Sequence, residues 1–341
     1  MKTIILEEPG AFQLTETNLP GQPGPGEALL RVRRVGICGT DLHAFRGRQP
    51  FFTYPRILGH ELAVEILALG PAEAELGLKV RDICCVEPYL NCGHCIACRQ
   101  GKTNCCASLQ TLGVHTDGGM REQVILPANK LHLAKDAPLD QLAIVEMLCI
   151  GAHAVRRAAP GPEEWALVIG VGPIGLSTAQ FAKIAGANVI AMDISEQRLD
   201  FCRRELGIEQ TVNAAADPLP QLEKITGGDL PTLVFDATGN ATSMMSAFNY
   251  VAHGGKLVFV GLVQDNITFH DPYFHSHELT ILSSRNATAQ DFAWVIENLQ
   301  AAAINLSPWI THRASPEALV QEFPDWLRPE TGVIKAMLAF D

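Results

Sequence analysis

Two short segments near the N-terminus carry side chains that could bind a metal ion and move a proton. Gly36–His43 offers a thiolate, a hydroxyl, a carboxylate and an imidazole, on Cys38, Thr40, Asp41 and His43. Gly59-His60-Glu61 adds a second imidazole and a second carboxylate. A zinc ion that activates an alcohol needs such a set, because catalytic zinc takes about three protein ligands and keeps one position open.

Cys38 and His60 are the first two candidate ligands, and the third is open between two acids. Glu61 is adjacent to His60, while Glu146 stands alone in the apolar run Ile144–Cys149. A lone acid is expensive to bury unless it is paired or bound to a metal, so Glu146 is a candidate on energetic grounds. Its alternative is a carboxylate that faces solvent at the end of an element, and Cys149 is a further option.

A second metal site is indicated by four cysteines with short, regular spacing. The pattern Cys92-x2-Cys95-x2-Cys98-x7-Cys106 suits a closed tetrahedral zinc site, which is structural because no position is left for a substrate. Spacing alone leaves Cys105 as a competitor for the fourth place. A zinc ribbon that binds nucleic acid is the rival interpretation, and the acidic chain argues against it.

A dinucleotide site is predicted by Gly170-Val171-Gly172-Pro173-Ile174-Gly175. This G-x-G-x-x-G motif follows a predicted strand, Ala166–Ile169, and opens a predicted helix that ends near Ala185. The three glycines allow the tight turn, the approach of the pyrophosphate and close packing of helix on strand. The helix N-terminus then faces the phosphates.

Asp193 indicates which dinucleotide binds. It ends the next predicted strand, Asn188–Asp193, where a carboxylate accepts the adenosine ribose hydroxyls and repels a 2′-phosphate. We therefore expect NAD rather than NADP, although Arg198, on the following predicted helix, slightly weakens that preference. The remaining predicted cofactor contacts are Thr238, Val260 and Gly261.

The composition excludes several classes of partner. The 341 residues have a net charge of −11, which argues against nucleic acid and anionic membranes as partners. The uncharged stretch 165–182 contains glycines, a proline and polar residues, and is expected to form a strand, a turn and a buried helix rather than a membrane span. With no evident export signal, the ten cysteines suggest metal ligands in a reducing cytoplasm.

The hydrophobic pattern changes along the chain and predicts two kinds of domain. The first ~150 residues have short apolar runs broken by Gly and Pro, which is typical of a mostly β domain with long loops. After Pro160 strands alternate with helices, with further predicted strands at Leu233–Phe235 and Lys256–Val260, so an α/β domain with a doubly wound parallel sheet is expected.

These motifs together resemble the zinc-dependent medium-chain alcohol dehydrogenase family, over essentially the whole chain. The resemblance implies a GroES-like, mostly β catalytic domain over 1–148 and a Rossmann NAD-binding domain over 149–282. It also implies that 283–341 returns to the catalytic domain, that the active site lies in the cleft between the domains, and that the protein is a homo-oligomer, a dimer or tetramer.

The same resemblance implies roles for individual residues. It makes Cys106 the fourth structural zinc ligand and places Cys38, His60 and Glu146 on the catalytic zinc, giving two Zn²⁺ per chain. Glu61 falls on a residue that can approach the catalytic metal. The remaining implied roles are a proton relay through Thr40 and the nicotinamide ribose to His43, and a bond from the His60 imidazole to Asp41.

The substrate is expected to be a small polyhydroxy molecule. An acid at Glu146 resembles the polyol and threonine dehydrogenases, and the segments 49–55, 284–288 and 311–313 resemble hexonate 5-dehydrogenases that act on L-galactonate or L-gulonate. The candidate substrate contacts are Glu146, Arg285, Met120 and Phe52, with Arg121 as a second candidate for a carboxylate. Met147, Met120 and Arg121 depart from the family pattern and could reshape the pocket.

Two classes of function therefore compete. The first is a zinc-dependent oxidoreductase that transfers a hydride from a secondary alcohol of a sugar acid or polyol to NAD, with a simple polyol or L-threonine as alternative substrates. The second is a catalytically silent scaffold that binds NAD or zinc, which the set Cys38, Thr40, His43, His60 and Glu146 argues against.

Overall fold

The computed structural model describes residues 1–49, 52–71 and 76–340, and its contacts divide the chain into two units. Unit 1 contains Met1–Glu146 and Thr288–Asp341, and unit 2 contains Met147–Ala287. Pro50 and Phe51, part of the segment that resembles hexonate dehydrogenases, lie outside the described residues.

The strands are short in both units, apart from a few long strands in unit 1. They are β1 Lys2–Glu8, β2 Ala11–Glu16, β3 Glu27–Ile37, β4 Glu61–Leu69, β5 Ile83–Val86, β6 Tyr89–Leu90, β7 Gln110–Thr111, β8 Gln123–Pro127, β9 Leu131–Leu133, β10 Trp165–Ile169, β11 Asn188–Asp193, β12 Gln210–Asn213, β13 Leu233–Asp236, β14 Lys256–Phe259, β15 Thr280–Ser283, β16 Ile310–Ala314 and β17 Lys335–Ala339.

The helices differ widely in length, and the longest contains 14 residues among those the structure describes. They are α1 Gly39–Phe45, α2 Ile96–Arg99, α3 Leu139–Ala143, α4 Val145–Ala158, α5 Pro173–Ile184, α6 Glu196–Leu206, α7 Leu219–Thr226, α8 Ala241–Ser246, α9 Asp271–Ser276, α10 Ala289–Gln300 and α11 Pro316–Trp326. Short 3-10 turns lie at Thr103–Cys105, Ala128–Lys130, Ala247–Tyr250, Ser307–Trp309 and Pro329–Thr331.

Unit 1 is built around the long strand β3. Its side chains alternate, with Leu30 and Val32 buried and Arg31 exposed between them, which is the pattern of a strand with one covered face. β3 pairs antiparallel with β4, β8 and the C-terminal strand β17, in a sheet of order β16-β17-β3-β4-β5-β9. The end of the chain therefore completes the sheet that carries the first candidate site.

Unit 2 contains the doubly wound sheet expected from the sequence, and the predicted fold class is confirmed. Its strands are parallel in the order β12-β11-β10-β13-β14-β15, so the chain reverses direction of winding at β10. Helices α5 and α6 follow β10 and β11, at the places where the sequence predicts them. The carboxyl ends of β10 and β13 lie side by side at this reversal, where open sheets bind ligands.

The apolar stretch 165–182 forms β10, a glycine turn and most of α5, as expected. Throughout the described ranges, no helix combines the length and the apolar character that a membrane crossing requires.

A buried ion-pair network braces unit 1 beside the four cysteines. Lys130 Nζ donates to Glu87 Oε1 at 2.6 Å and to Asn91 Oδ1 at 2.8 Å, and Glu87 Oε2 lies 3.2 Å from His132 Nε2. Although burial alone would raise it, the pKa of Glu87 is lowered by His132 and Lys130. Glu87 is 2% exposed, so this pair lies in a medium where losing one partner is costly.

We predict that Glu87→Gln lowers the free energy of unfolding by about 3 kcal/mol at pH 7, because Lys130 keeps a buried charge without its counter-ion. The pKa of Glu87 is lowered in the folded state, so its stabilisation is complete above the ordinary value of 4.5 and is lost as pH falls through the folded pKa. Urea unfolding at several pH values should show wild type and variant converging in acid. An equal difference at pH 7 and in strong acid would contradict this assignment.

Candidate metal centres and cofactor site

Cys38 lies at the junction of β3 and α1, where it is the N-cap residue of the helix. Asp41 closes a capping box, since its Oδ2 accepts a hydrogen bond from the Cys38 backbone N–H at 2.8 Å. The thiol is thereby held beside the positive end of α1. Thr40 and His43 lie three residues apart on α1, a spacing that puts both on one face of the helix.

His60 and Glu61 reach the same place from β4, where Glu61 is the first residue. Glu61 pairs with Gly36 of β3, and a Cβ on Gly36 would stand 2.2 Å from Glu61 Oε2, so only glycine leaves room for this carboxylate. Cys38, His60 and Glu61 each offer a ligand atom, and these atoms lie within 4.8 Å of one another. Sulfur, nitrogen and oxygen donors in this number are typical of a catalytic zinc site.

Glu61 also has a partner that the sequence analysis missed. Lys335, on β17, donates from Nζ to Glu61 Oε1 at 2.5 Å and to the Ile37 carbonyl at 3.0 Å, and its side chain is 2% exposed. The sequence did contain a signal for this residue. Lys335 is the lone charge in the apolar run Val333–Leu338, just as Glu146 is the lone charge in its own apolar run.

Glu146, the other candidate for the third ligand, is buried near this group but does not belong to it. Its Oε1 accepts a hydrogen bond from the Tyr89 hydroxyl. Burial raises the pKa of Glu146, while the nearby His60 lowers it and Glu61 raises it further. The structure thus brings Glu61 closer to Cys38 and His60 than Glu146, and it ties Glu146 to Tyr89, which the sequence analysis also missed.

The electrostatics of this cluster favour a bound cation. Burial opposes charge on His60, yet Cys38, Asp41 and Glu146 together raise its pKa well above the usual range, which reports a surplus of negative charge. His60 Nδ1 lies 3.9 Å from Asp41 Oδ1, too far for a hydrogen bond. Within the described residues, Nδ1, that Oδ1 and Glu61 Oε2 are buried without a hydrogen-bond partner. These residues fit a divalent metal.

The four predicted structural ligands, Cys92, Cys95, Cys98 and Cys106, also come together. Their sulfur atoms lie within 4.8 Å of one another. Backbone N–H groups of Cys92 and Ser108 point at Cys106 Sγ, at 3.2 and 3.4 Å, and lower the pKa of that thiol. Backbone N–H groups likewise lower the pKa of Cys95 to about 6. The thiolate is thus favoured at Cys95 and Cys106, whereas burial and the neighbouring Cys95 raise the pKa of Cys98. Backbone donors to sulfur suit a closed zinc site.

The competition between the two adjacent cysteines gives a direct test. Cys106 is buried within the group, whereas Cys105 is exposed. We expect Cys106→Ser to lose one zinc ion per chain and to unfold at lower temperature, and Cys105→Ser to keep the wild-type zinc content. Elemental analysis of purified protein with a thermal melt checks both variants, and zinc loss in the Cys105 variant alone would reverse the assignment.

The glycine motif forms the turn between β10 and α5 in unit 2. A Cβ on Gly175 would lie 1.8 Å from the Gly170 carbonyl, so the turn is as tight as the predicted motif requires. Around a Cβ on Gly172 there is open space instead, beside the first turn of α5 and next to Pro173 and Ile174. A backbone cradle that is open at a helix N-terminus fits a pyrophosphate.

The other predicted cofactor residues surround this turn. Asp193 ends β11 and accepts hydrogen bonds from Val171 N and Ser195 N, both at 2.9 Å, with Arg198 Nη1 at 3.5 Å. Thr238 lies against Gly170, where a Cβ on that glycine would meet its Cγ2 at 2.7 Å. Val260 and Gly261 follow β14, and both donate to the Asp236 carbonyl. These groups fit a dinucleotide at the carboxyl edge of the sheet.

The candidate substrate residues lie in different settings. Met120 is completely buried in the core of unit 1, which argues against direct contact with a substrate. Phe52 is partly buried and packs edge-on against Tyr54, with ring centroids 4.8 Å apart. Arg285 is exposed and follows β15 in unit 2. Burial lowers the pKa of Arg121, and its Nε is buried without a partner among the described residues.

Comparison with known proteins agrees with this site and fold. Residues 24–136 match the alcohol dehydrogenase GroES-like domain, and residues 173–301 match the zinc-binding dehydrogenase domain. The chain is 40% identical to L-galactonate-5-dehydrogenase of Escherichia coli strain K12, over 100% of this chain and 99% of that protein. It is 32% identical to 2-dehydro-3-deoxy-L-galactonate 5-dehydrogenase of Pseudoalteromonas atlantica, over 85% and 84% of the two chains.

A solved structure gives the same result for the fold. The crystal structure of RspB from E. coli CFT073, described as a short chain alcohol dehydrogenase in complex with NADH, has a TM-score of 0.92 and 30% identity, over 100% of this chain and 99% of the other. The fold and the donor groups define a two-domain zinc-type dehydrogenase. The chain belongs to the zinc-type alcohol dehydrogenase family and is an oxidoreductase of that family.

Proposed function

We propose that this enzyme oxidises a secondary alcohol of a hexonate, such as L-galactonate or L-gulonate, to a ketone, with NAD as hydride acceptor. The donor group of half-buried Cys38 with buried His60 and Glu61 is the observation that carries the proposal. The 40% identity to L-galactonate-5-dehydrogenase supports the substrate class. From the family likeness we expect a homo-oligomer, a dimer or tetramer. The ten cysteines and the four-cysteine loop are in keeping with the reducing cytoplasm.

Cys38 and His60 would hold the catalytic zinc, with Glu61 or Glu146 as the third ligand, and the four-cysteine group would hold the structural zinc. A bound zinc would supply Lewis acidity, which lowers the pKa of a bound hydroxyl; the pKa of bound water falls to about 7. Oxidation then removes a proton from the substrate hydroxyl and a hydride from its carbon. Two anionic ligands would balance the charge of the metal, so that a neutral ketone is held weakly.

The proton would leave along α1. Thr40 Oγ1 would accept it while releasing its own hydroxyl proton, and His43, exposed on the same helix, would pass the relayed proton to solvent. This is the relay through Thr40, the nicotinamide ribose and His43 that the family resemblance implies. Desolvation, together with Arg46 and Arg48, lowers the pKa of His43, so its imidazole is neutral and able to accept a proton at pH 7.

The nicotinamide dinucleotide would bind in unit 2. Gly170, Gly172 and Gly175 shape the turn for the pyrophosphate, and Asp193 would accept the ribose hydroxyls. Asp193 keeps a free lone pair on each oxygen after its two backbone bonds, and its charge would repel the 2′-phosphate of NADP. The predicted preference is therefore for NAD.

A carboxylate on the substrate needs a cation in the site. Arg285 is the first candidate, since a guanidinium binds a carboxylate with two parallel hydrogen bonds, and Arg121 is the second. A simple polyol such as sorbitol lacks this carboxylate, and L-threonine presents it together with an ammonium group. These two remain the alternative substrates.

The substrate class is tested by a panel of aldonates, hexitols and L-threonine with NAD, followed at 340 nm. We expect NADH formation with L-galactonate or L-gulonate, and a kcat/KM at least about 10-fold lower with hexitols, because one lost charge-assisted hydrogen-bond pair costs about 1.4 kcal/mol or more.

Cys38→Ser is the matched control for that panel. It should lose one zinc ion and all NADH formation while keeping NAD affinity, because its change is confined to unit 1. A silent scaffold would give no NADH with any substrate even when fully loaded with zinc, and that result would refute the proposal.

The cofactor preference is tested with Asp193→Ser. We expect kcat/KM for NAD to fall about 10-fold, because hydrogen bonds to a charged group contribute about 1.5–3 kcal/mol, and the ratio of NADP to NAD activity to rise. Asp200→Ser, an exposed acid on α6, serves as the control and should leave the ratio unchanged. A ratio that stays constant in Asp193→Ser would remove Asp193 from the cofactor site.

A further inference from the structure

A five-residue segment of unit 1, Glu87–Asn91, contacts the four-cysteine group and also Glu146, the alternative third ligand of the proposed catalytic metal. At its centre, the Tyr89 hydroxyl donates to Glu146, whose pKa reports the nearby His60 and Glu61. At its end, Asn91 Nδ2 lies 3.6 Å from Cys98 Sγ of the four-cysteine group. We call Glu87–Asn91 the connecting segment.

The connecting segment is fixed at both ends by one buried cation. Lys130 Nζ binds Glu87 at one end and Asn91 at the other, and the backbone N–H of Glu87 donates to the Lys130 carbonyl at 2.8 Å. Glu87 is held further by His132, whose ring stacks on Phe292 at 4.6 Å. Tyr89 is the midpoint of this braced stretch.

Tyr89 itself has little freedom to move. It is 2% exposed, and as part of β6 it pairs with β7, at Thr111. The neighbouring Pro88 carbonyl accepts a hydrogen bond from Leu112 at 3.0 Å. The backbone of the connecting segment therefore fixes the position from which the side chain starts, and burial leaves the ring little room to move.

We propose that Tyr89 is a positioning residue for Glu146, and that the four-cysteine loop holds Tyr89 in place through Asn91 and Lys130. The hydroxyl occupies Oε1 of Glu146 and so fixes the direction of the other carboxylate oxygen toward the Cys38–His60 group. Metal binding in the four-cysteine loop is thereby coupled to the orientation of Glu146, the acid offered to the catalytic metal. This inference rests on the metal site of the proposed function.

The physical basis is that a carboxylate needs a second anchor to present one oxygen in one direction. Partners that bind the ligating groups of a metal site fix their orientation, and their loss costs about 10- to 100-fold in metal affinity. Tyr89→Phe removes only the hydroxyl and keeps the ring that fills this buried position. Its effect therefore reports the hydrogen bond rather than the packing.

The test replaces the exchangeable zinc of the otherwise zinc-loaded enzyme with Co²⁺, whose visible d–d bands report ligand geometry. Tyr89→Phe is expected to shift these bands and to weaken Co²⁺ binding about 10-fold, while keeping the zinc of the four-cysteine loop. Tyr250→Phe, a hydroxyl deletion in unit 2, should match wild type in both measurements.

Asn91→Ala separates the contribution of the loop. It is expected to shift the same bands in the same direction by a smaller amount, and unshifted bands would show that the loop does not hold Tyr89. If wild type takes up Co²⁺ and Tyr89→Phe matches it in bands and affinity, Tyr89 does not position Glu146. If wild type takes up no exchangeable Co²⁺, the proposed catalytic metal site fails, and this inference fails with it.

Discussion

Buried negative charge is the constraint on which unit 1 depends. Three buried carboxylates, those of Asp41, Glu61 and Glu146, lie near His60 and the half-buried Cys38. Carboxylates are costly to bury unless they are paired, hydrogen-bonded or bound to metal. The fold meets this cost with a helix N-terminus beside Cys38, with Lys335 on Glu61 and with Tyr89 on Glu146. The remaining surplus is what a divalent cation would neutralise.

The same constraint explains why unit 1 is irregular and unit 2 is regular. Unit 1 must bring charged groups from β3, β4, α4 and β17 to one point, so its loops and breaks serve that convergence. Unit 2 offers backbone groups at the carboxyl ends of parallel strands, which the alternation of strand and helix together with the glycine turn supplies. Specific side chains such as Asp193 then refine a site that the topology already provides.

Features formed by residues close together in the sequence could be predicted from it, and contacts between residues far apart in the sequence could not. The glycine turn and the four-cysteine loop are local patterns, so residue types and spacing predicted the turn at Gly170–Gly175 and a group of four thiols that begins at Cys92. Spacing left the fourth thiol open between Cys105 and Cys106, and the structure places Cys106 in the group. Glu146 was noticed because a lone acid in an apolar run needs a reason. The strand that supplies the hydrogen-bond partner of Glu146 could not be predicted, because no local sequence pattern pairs Glu146 with Tyr89.

The substrate pocket was the least predictable part for a related reason. Met120 was expected to touch substrate because its type departs from the family pattern, but it packs in the core beside the turn at Gly59. A change of residue type reports a changed environment without saying whether that environment is cavity or core. Residue type likewise left open whether Glu61 or Glu146 is the third zinc ligand, because both are acids that the fold buries near the His60 imidazole.

The pairing of β17 with β3 sets the order in which the residues of the proposed metal site can come together during folding. Lys335 lies 274 residues after Glu61, so folding must bring these two charges together across most of the chain. Contacts of such sequence separation form late, because the closure of a long loop must precede them. Until β17 pairs with β3, Glu61 lacks the counter-ion that Lys335 supplies, so the sheet of unit 1 carries an unpaired charge at this position.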